Sequence, residues 1–539
     1  MAHREKTRSD MSLLESARIP TLRNQAIIGV GLFAVAIFTA YQVAGKIVDN
    51  DTQTLLFVVM GFVGCAVAVA ILRDWRVGLY WFLGWLTFED FARKFMGNGL
   101  ALFFGKDILA SLVYISLFVA LRHKTEKLFR PPFLIFLSLF FWLGVLQIFN
   151  QYSPSIWYGL LGIKTYFYYV PLMYAGYAFV RSDEDLRKFL TWNMVLAGVV
   201  AAVGLAQSIL GNSFLNPATL APELQDLGDL QKTSPLTGQA FNLPDAVFVS
   251  AGRYAQYLIL AAVLALGVAG YLLLSGKRGR KMTYAVTGLL GAAALLSGSR
   301  TAFLYVFICA VILPMGFLWG APWRHRQAHR MVKAIRWSAA LFCLGLVIFF
   351  AAFPEAMGSR IAYYSETLLP GSSSYELAYR GWQYPIENLM GAFNQPNWVV
   401  GNGIGTSSLG VQYVAKLTGR PVQNVWVEEG FGNMIVEMGI LAPFLWFLWS
   451  GALLYFGWKV VRHLRGTRFF PIALAIVAYV FLLLYPLMHQ NLSAYQNYTA
   501  NAYLWLLVGV LFRLPELEAA VPTATLIGPA RPSRGGFQF

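Results

Sequence analysis

Apolar runs of roughly 20 residues recur along most of this 539-residue chain, separated by short polar links. As a helix, a run of that length crosses the hydrocarbon of a bilayer. The pattern predicts fourteen spans, near residues 25–45, 53–72, 77–92, 105–121, 131–149, 158–180, 189–211, 254–275, 282–300, 301–319, 337–354, 433–458, 469–488 and 498–513. Short alternating segments, the signature of a membrane β-barrel, do not recur. The expected fold class is therefore all-α, a polytopic transmembrane helical bundle of about 12–14 spans. Its parts are a basic arm at 1–24, a bundle over 25–354 with a polar loop at 211–253, a long loop at 355–432, closing helices at 433–513, and a Pro-, Ala- and Gly-rich tail at 514–539 that reads as disordered. The first apolar run follows the basic arm and reads as a retained span, not a cleaved leader.

Composition agrees: 57% of residues are hydrophobic and 13% charged, against about 25% charged in soluble domains. The net charge of +16 invites a nucleic-acid reading. Its distribution argues otherwise. Thirty of the 42 Lys and Arg fall in alternate loops and the termini, while the other side carries 12 against 16 acidic residues. Basic loops face the cytoplasm, so the excess charge is a topology signal, and both termini are predicted inside. No nucleic acid is expected as a partner. Cys65, Cys309 and Cys343 all lie in apolar runs, which excludes loop disulfides, and no His, Cys, Asp or Glu cluster has metal-ligand spacing. No nucleotide-binding loop occurs either. Neither metal nor cofactor is expected, and any driving force must reside in the substrate.

The candidate chemistry lies on the predicted outer side. The interval Glu355 to Glu437 is the longest without a membrane-length apolar run. Arg300 stands between two spans in ALLSGSRTAF, where an arginine is costly without an anionic partner. A phosphate would serve through bidentate bonding, and a snorkelling anchor is the other reading. Lys164 and Arg253 each mark the outer end of a span; with Arg300 and Arg380 they form an expected rim of cations suited to pyrophosphate. Arg380 opens a string that reaches Gly391 and then Gly401, Gly403 and Gly405, glycines that either make turns or let backbone N–H groups approach an anion. Glu428 and Glu429 precede a span, and Glu437 lies in its first turns. Glu428 is the candidate general base; Glu437 reads as structural. His489 is the one histidine on the outer side. In FEDFARKFMGNG, the spacings 89/93 and 90/94 suggest surface ion pairs on one helical face. Trp382, Trp398 and Trp426 are candidates to stack on sugars or to sit in an interfacial belt.

On three pieces the chain resembles the O-antigen ligase and O-antigen polymerase superfamily of bacterial inner-membrane glycosyltransferases: LSGSRTAF at 296–303, Arg380 followed ten residues on by Gly391 and the GNGIG turn, and the span entry VEMGILAPF. The likeness is clearest from about 280 to 445. It implies a GT-C-like fold with a periplasmic catalytic loop, an undecaprenyl-pyrophosphate-linked oligosaccharide donor and a glycan or lipid-linked acceptor. It also implies membrane lipid as surroundings and leaves room for a flippase and a chain-length regulator as partners. Arg300 and Arg380 become pyrophosphate ligands by that likeness. Ligases of the family carry a histidine where this chain has Glu428, and the following Gly-x-x-Gly reads Gly439 and Ala442. The departure favours a polymerase-type or exopolysaccharide enzyme over a lipid A-core ligase. A flippase or polysaccharide transporter is the alternative from another class.

Overall fold

A computed structural model describes residues 52–97, 100–211, 213–217, 231–233, 240–276, 279–320, 325–368, 379–419 and 427–520. The expected arm at 1–24, the span at 25–45, Trp426, the end of the tail from residue 521 and the side chain of Arg380 lie outside the described residues. Two compact units part between Ala70 and Ile71. The first enters the described residues as the opening of α1 (Thr52–Arg73). The second, from Ile71 onward, holds all the other elements.

From there the chain runs through α2 (Trp75–Met96), α3 (Leu100–Arg122), α4 (Leu134–Ile148), α5 (Ile156–Phe167), α6 (Leu172–Phe179) and α7 (Asp183–Leu210). A small antiparallel ribbon of β1 (Gln231–Thr233) and β2 (Ala240–Asn242), with Lys232 opposite Phe241, precedes α8 (Ala251–Ser275). Next come α9 (Arg280–Leu296), α10 (Arg300–Gly320), α11 (His325–Ala352) and α12 (Pro354–Leu368). A π-helical turn at Tyr379–Gln383 leads into α13 (Tyr384–Phe393), followed by α14 (Val411–Thr418), α15 (Gly430–Met438), α16 (Leu441–His463), α17 (Phe470–Leu484), α18 (Ser493–Gln496) and α19 (Tyr498–Ala519).

The protein is thus a helical membrane protein by length and composition. Among the described residues, seven helices are long and apolar enough to cross a bilayer: α3, α7, α8, α10, α16, α17 with its continuation to Met488, and α19. The shortfall from fourteen has local causes. Helix α2 carries four charges near its end, and α4 has 15 residues and α9 17. Helix α11 opens on the charged stretch 325–336, and the span expected at 25–45 lies outside the described residues. The expected span at 158–180 is two helices, because Pro171 cannot supply the N–H that would continue α5. The one at 433–458 breaks at Gly439, whose φ of +82° ends α15. The expected disordered tail begins too early: α19 continues to Ala519, pinned where Glu516 meets Lys127 at 3.1 Å and also bonds Tyr177 and Arg513. The long loop is itself partly helical, holding α12, α13 and α14.

Helices α8 and α19 bury nearly every face and form the centre, with α17 and α9 on α8 and α6 on α19. Farther out, α3 and α10 leave Ile108, Ile115, Phe118, Phe307, Ile312 and Met315 exposed, an apolar surface that suits lipid rather than water. At the crossing of α6 and α19, glycines bring the backbones into contact. A Cβ on Gly176 would lie 2.1 Å from the Leu506 carbonyl oxygen, and one on Gly509 would lie 2.0 Å from that of Met173. Gly509→Val is therefore expected to lower stability by about 1–3 kcal/mol or more, read as a drop in melting temperature in detergent, whereas Gly288→Ala, with open space around it, should leave it unchanged.

The bundle has two chemically different ends. One collects arginines: Glu126 bridges Arg76 at 2.9 Å and Arg181 at 2.5 Å, Arg468 faces Asp183 at 3.6 Å, Arg513 donates to the Val180 carbonyl, and Arg465 lies over Trp319. A capping box of Ser182 and Asp185 starts α7 there. The other end holds the candidate site.

Candidate functional site

The last turns of α2 carry the sequence expected to make surface ion pairs, and the structure corrects that expectation. Glu89, Asp90, Arg93 and Lys94 are all buried, because α3, the start of α8 and the strap from residue 242 to 250 cover this face. The partners also differ. Asp90 binds Arg93 one turn on at 3.0 Å and Arg253 of α8 at 2.7 Å. Glu89 binds Lys106 of α3 at 2.9 Å, and Lys94 binds Asp245 of the strap at 2.8 Å. Lys164 of α5 pairs with Asp107 of α3, whose other oxygen accepts from Tyr169 at 3.2 Å.

Two aromatic rings join these pairs into one row. Arg253 lies 5.0 Å from the centre of the Tyr498 ring, and Lys106 lies 4.6 Å from that ring and 4.1 Å from Phe103. Lys164 stands 4.8 Å beyond, on Phe103. Cations and ring faces thus alternate, which offsets the repulsion of like charges. The row and its acids comprise five cations (Arg93, Lys94, Lys106, Lys164 and Arg253) and four carboxylates (Glu89, Asp90, Asp107 and Asp245). Its two ends are partly open: the side chains of Arg253 and Lys164 are 23% and 24% exposed, against 2% for Lys106 between them. Lys164 and Arg253, two of the four cations expected at the rim, thus stand at the two ends of one row. Lys106 and Asp107 escaped the sequence reading, although a Lys-Asp pair inside an otherwise apolar run is itself a signal of buried partners.

Arg300 opens α10 and lies 4.4 Å over the ring of Tyr363 on α12. Beside it, buried Arg360 donates to the Leu296 and Asn242 carbonyls, each at 2.8 Å. It thereby ties α12 to the end of α9 and to the strap. The strap continues through Asp245 and Ala246, which hold Lys94, to Val249, whose N–H reaches Asp90 at 3.4 Å. Arg300 thus touches α12, and it is Arg360 of that helix that reaches the strap. The backbone of Arg380 lies in the π-helical turn before α13.

Of the two uses the sequence left open for the glycine loop, the structure displays the turn. Gly401, Gly403 and Gly405 have φ of +78°, +100° and +89°, and each abuts other main chain or a neighbouring side chain. A Cβ would meet the Glu437 carbonyl, Ser153 and the Tyr158 carbonyl, respectively. The anion in this turn is the protein's own. The carboxyl of Glu437 accepts from Ser407 N–H at 2.9 Å, Ser408 hydroxyl at 2.8 Å, Tyr166 hydroxyl at 2.8 Å and the Gly405 N–H. Burial raises its pKa, and those donors pull it partly back. Glu437 thus ties α15 to the glycine turn and to α5. Gly391 is not a turn residue: it sits in the last turn of α13 with open space where a side chain would project.

The acidic pair divides in two. Glu428 is exposed, whereas Glu429 is fully buried and caps α15, accepting from Phe431 N–H at 2.8 Å and from Gly432 N–H. Glu429 turns inward on extended backbone (φ −82°, ψ 140°). Burial pushes its pKa up to about 7 despite the two N–H donors. That value exceeds the ordinary 4.5, so the folded chain holds this proton more tightly than the unfolded one. From about pH 4.5 to 7 the group costs stability progressively as pH rises. The melting temperature of the wild type should fall across that window relative to Glu429→Gln; parallel curves would refute the assignment. His489 is exposed next to Gln490, whose carbonyl accepts from Gly430 at 3.2 Å. Glu428 lies two residues before the nine-residue helix α15, and Glu437 lies in that helix's last turn. Among the described residues, no contact links Glu428 to Arg253 or Arg300. Trp382 and Trp398 are exposed on the same long loop.

Compared with known protein families the chain matches none, and compared with curated proteins it matches none.

Proposed function

We propose that the protein is a membrane glycosyltransferase that moves glycan from an undecaprenyl-pyrophosphate-linked donor to a glycan or lipid-linked acceptor at the outward face of the bacterial inner membrane. A polymerase-type reaction is favoured over lipid A-core ligation. The observation that carries the reading is the cation-rich row between α2, α3, α5 and α8, with an open guanidinium at one end and an open ammonium at the other. An excess of positive charge at the end of an apolar bundle suits an anionic head group whose tail remains in lipid. The arginine-rich opposite end agrees with a cytoplasmic orientation for that side.

In this reading Arg253 and Lys164, with Arg300 and Arg380, bind the diphosphate. The acceptor hydroxyl attacks the anomeric carbon as the bond from that carbon to the phosphate oxygen breaks. Glu428 takes the hydroxyl proton, and the pair of electrons leaves on the lipid diphosphate. Attack opposite the leaving group inverts the anomeric centre. Glu429, anchored as the cap of α15, holds Glu428 outward. The test is elongation of a lipid-diphosphate oligosaccharide by purified protein in nanodiscs, read as a ladder of longer glycans; donor returned unchanged would sink the proposal.

A flippase is the second reading, favoured by ion pairs buried among helices. It predicts transbilayer movement of the donor with no new glycosidic bond, so the same preparation in sealed vesicles separates the two.

A further inference from the structure

Asp90 lies between two arginines and is completely buried, yet the arginines are not equivalent. Arg93, on the same helix, is 2% exposed and is held on its far side by Tyr413 hydroxyl at 3.2 Å. Arg253 is 23% exposed. It directs one nitrogen, Nη1, at both Asp90 oxygens, at 3.0 and 2.7 Å, and at Tyr498 hydroxyl at 3.3 Å. Among the described residues its Nε and Nη2 make no side-chain hydrogen bond. A guanidinium is a planar fork of five N–H groups, and its unused edge is the one that pairs side-on with a phosphate. The triad carries two positive charges and one negative. Of the two arginines on Asp90, the one with the open edge is the one that solvent reaches.

We propose that Asp90 is a resting counter-ion for Arg253: it holds that side chain while the site is empty and yields it to a phosphate oxyanion, remaining neutralised by Arg93. This rests on the diphosphate reading above and adds how the empty site is kept stable. Arg93 is what makes the exchange affordable in charge terms, since Asp90 is never left alone. Asp90 then competes with the ligand for one guanidinium, and its negative charge sets the affinity.

The experiment places wild type, Asp90→Asn, Arg253→Ala, Arg93→Gln and the Asp90→Asn/Arg253→Ala pair in nanodiscs of zwitterionic lipid. Binding of undecaprenyl pyrophosphate is measured by thermophoresis, with inorganic pyrophosphate and phosphatidylglycerol as separate probes. Asp90→Asn should bind the lipid diphosphate about tenfold more tightly, roughly 1.4 kcal/mol, and lose that gain when Arg253 is also removed. The same ligand should raise its melting temperature more than that of the wild type. Asp90→Asn that folds and binds no more tightly overturns the counter-ion role. Should Asp90→Asn not fold, Arg93→Gln decides: it leaves Asp90 to Arg253 alone and should weaken the diphosphate several-fold, and unchanged affinity overturns the proposal. If Arg253→Ala binds like the wild type, the diphosphate reading at Arg253 fails, whatever Asp90 does. A gain seen for phosphatidylglycerol but not for either diphosphate assigns the edge to membrane phospholipid and overturns the donor assignment.

Discussion

Replacing Lys106 by methionine is expected to destabilise the bundle by about 3–5 kcal/mol, because removing one partner of a buried ion pair strands the other. The stranded group is Glu89, which is wholly buried and has Lys106 as the cation on one oxygen and no hydrogen-bond partner on the other. Lys106 also occupies the space between the Phe103 and Tyr498 rings, so the loss removes the middle cation of the row. The compensating change is specific. Adding Glu89→Gln neutralises the stranded carboxyl and should restore most of the lost stability. Thermal melts of the single and double variants in one detergent check this. A single variant that melts with the wild type would mean that the pair is hydrated, contrary to its burial.

Arg253→Ala is expected to behave in the opposite way, folding normally and losing function. Asp90 keeps Arg93 as its counter-ion, so no carboxylate is stranded. In the elongation assay its turnover should fall by about 100-fold or more, the usual loss when a group stabilising transition-state charge is removed. Under the proposed mechanism Glu428→Gln should also slow turnover while leaving donor binding intact, since Glu428 is proposed as proton acceptor and not as a diphosphate ligand. Full activity in Arg253→Ala would remove the cation row from the mechanism.

Much of the helical framework was legible because apolar runs are a local property. Helices α3, α7, α8, α10, α17 and α19 stand close to where the runs placed them. The two mergers, 158–180 and 433–458, arose because Pro171 and Gly439 sit inside apolar strings, and averaged hydropathy does not register a missing N–H or a positive φ. The site was legible in its residue types and not in its pairings. Helical spacing showed that residues 89 to 94 share a face; it held no information on what packs over that face. The actual partners of Glu89, Lys94 and Asp90 lie 17, 152 and 163 residues away for Lys106, the Ala246 carbonyl and Arg253. Likewise the alternating glycines announced a turn that closes around an acceptor group, but that acceptor proved to be Glu437 of the next helix.

The break at Gly439 has a mechanical consequence. A side chain there would strike the Val399 carbonyl at 2.3 Å, the N–H of Ile440 bonds that same carbonyl at 3.2 Å, and Gln147 of α4 donates to Val400 and Met438. The glycine turn is therefore riveted to the root of α16 and to α4. Sideways displacement of either helix in the bilayer must carry the turn along with it.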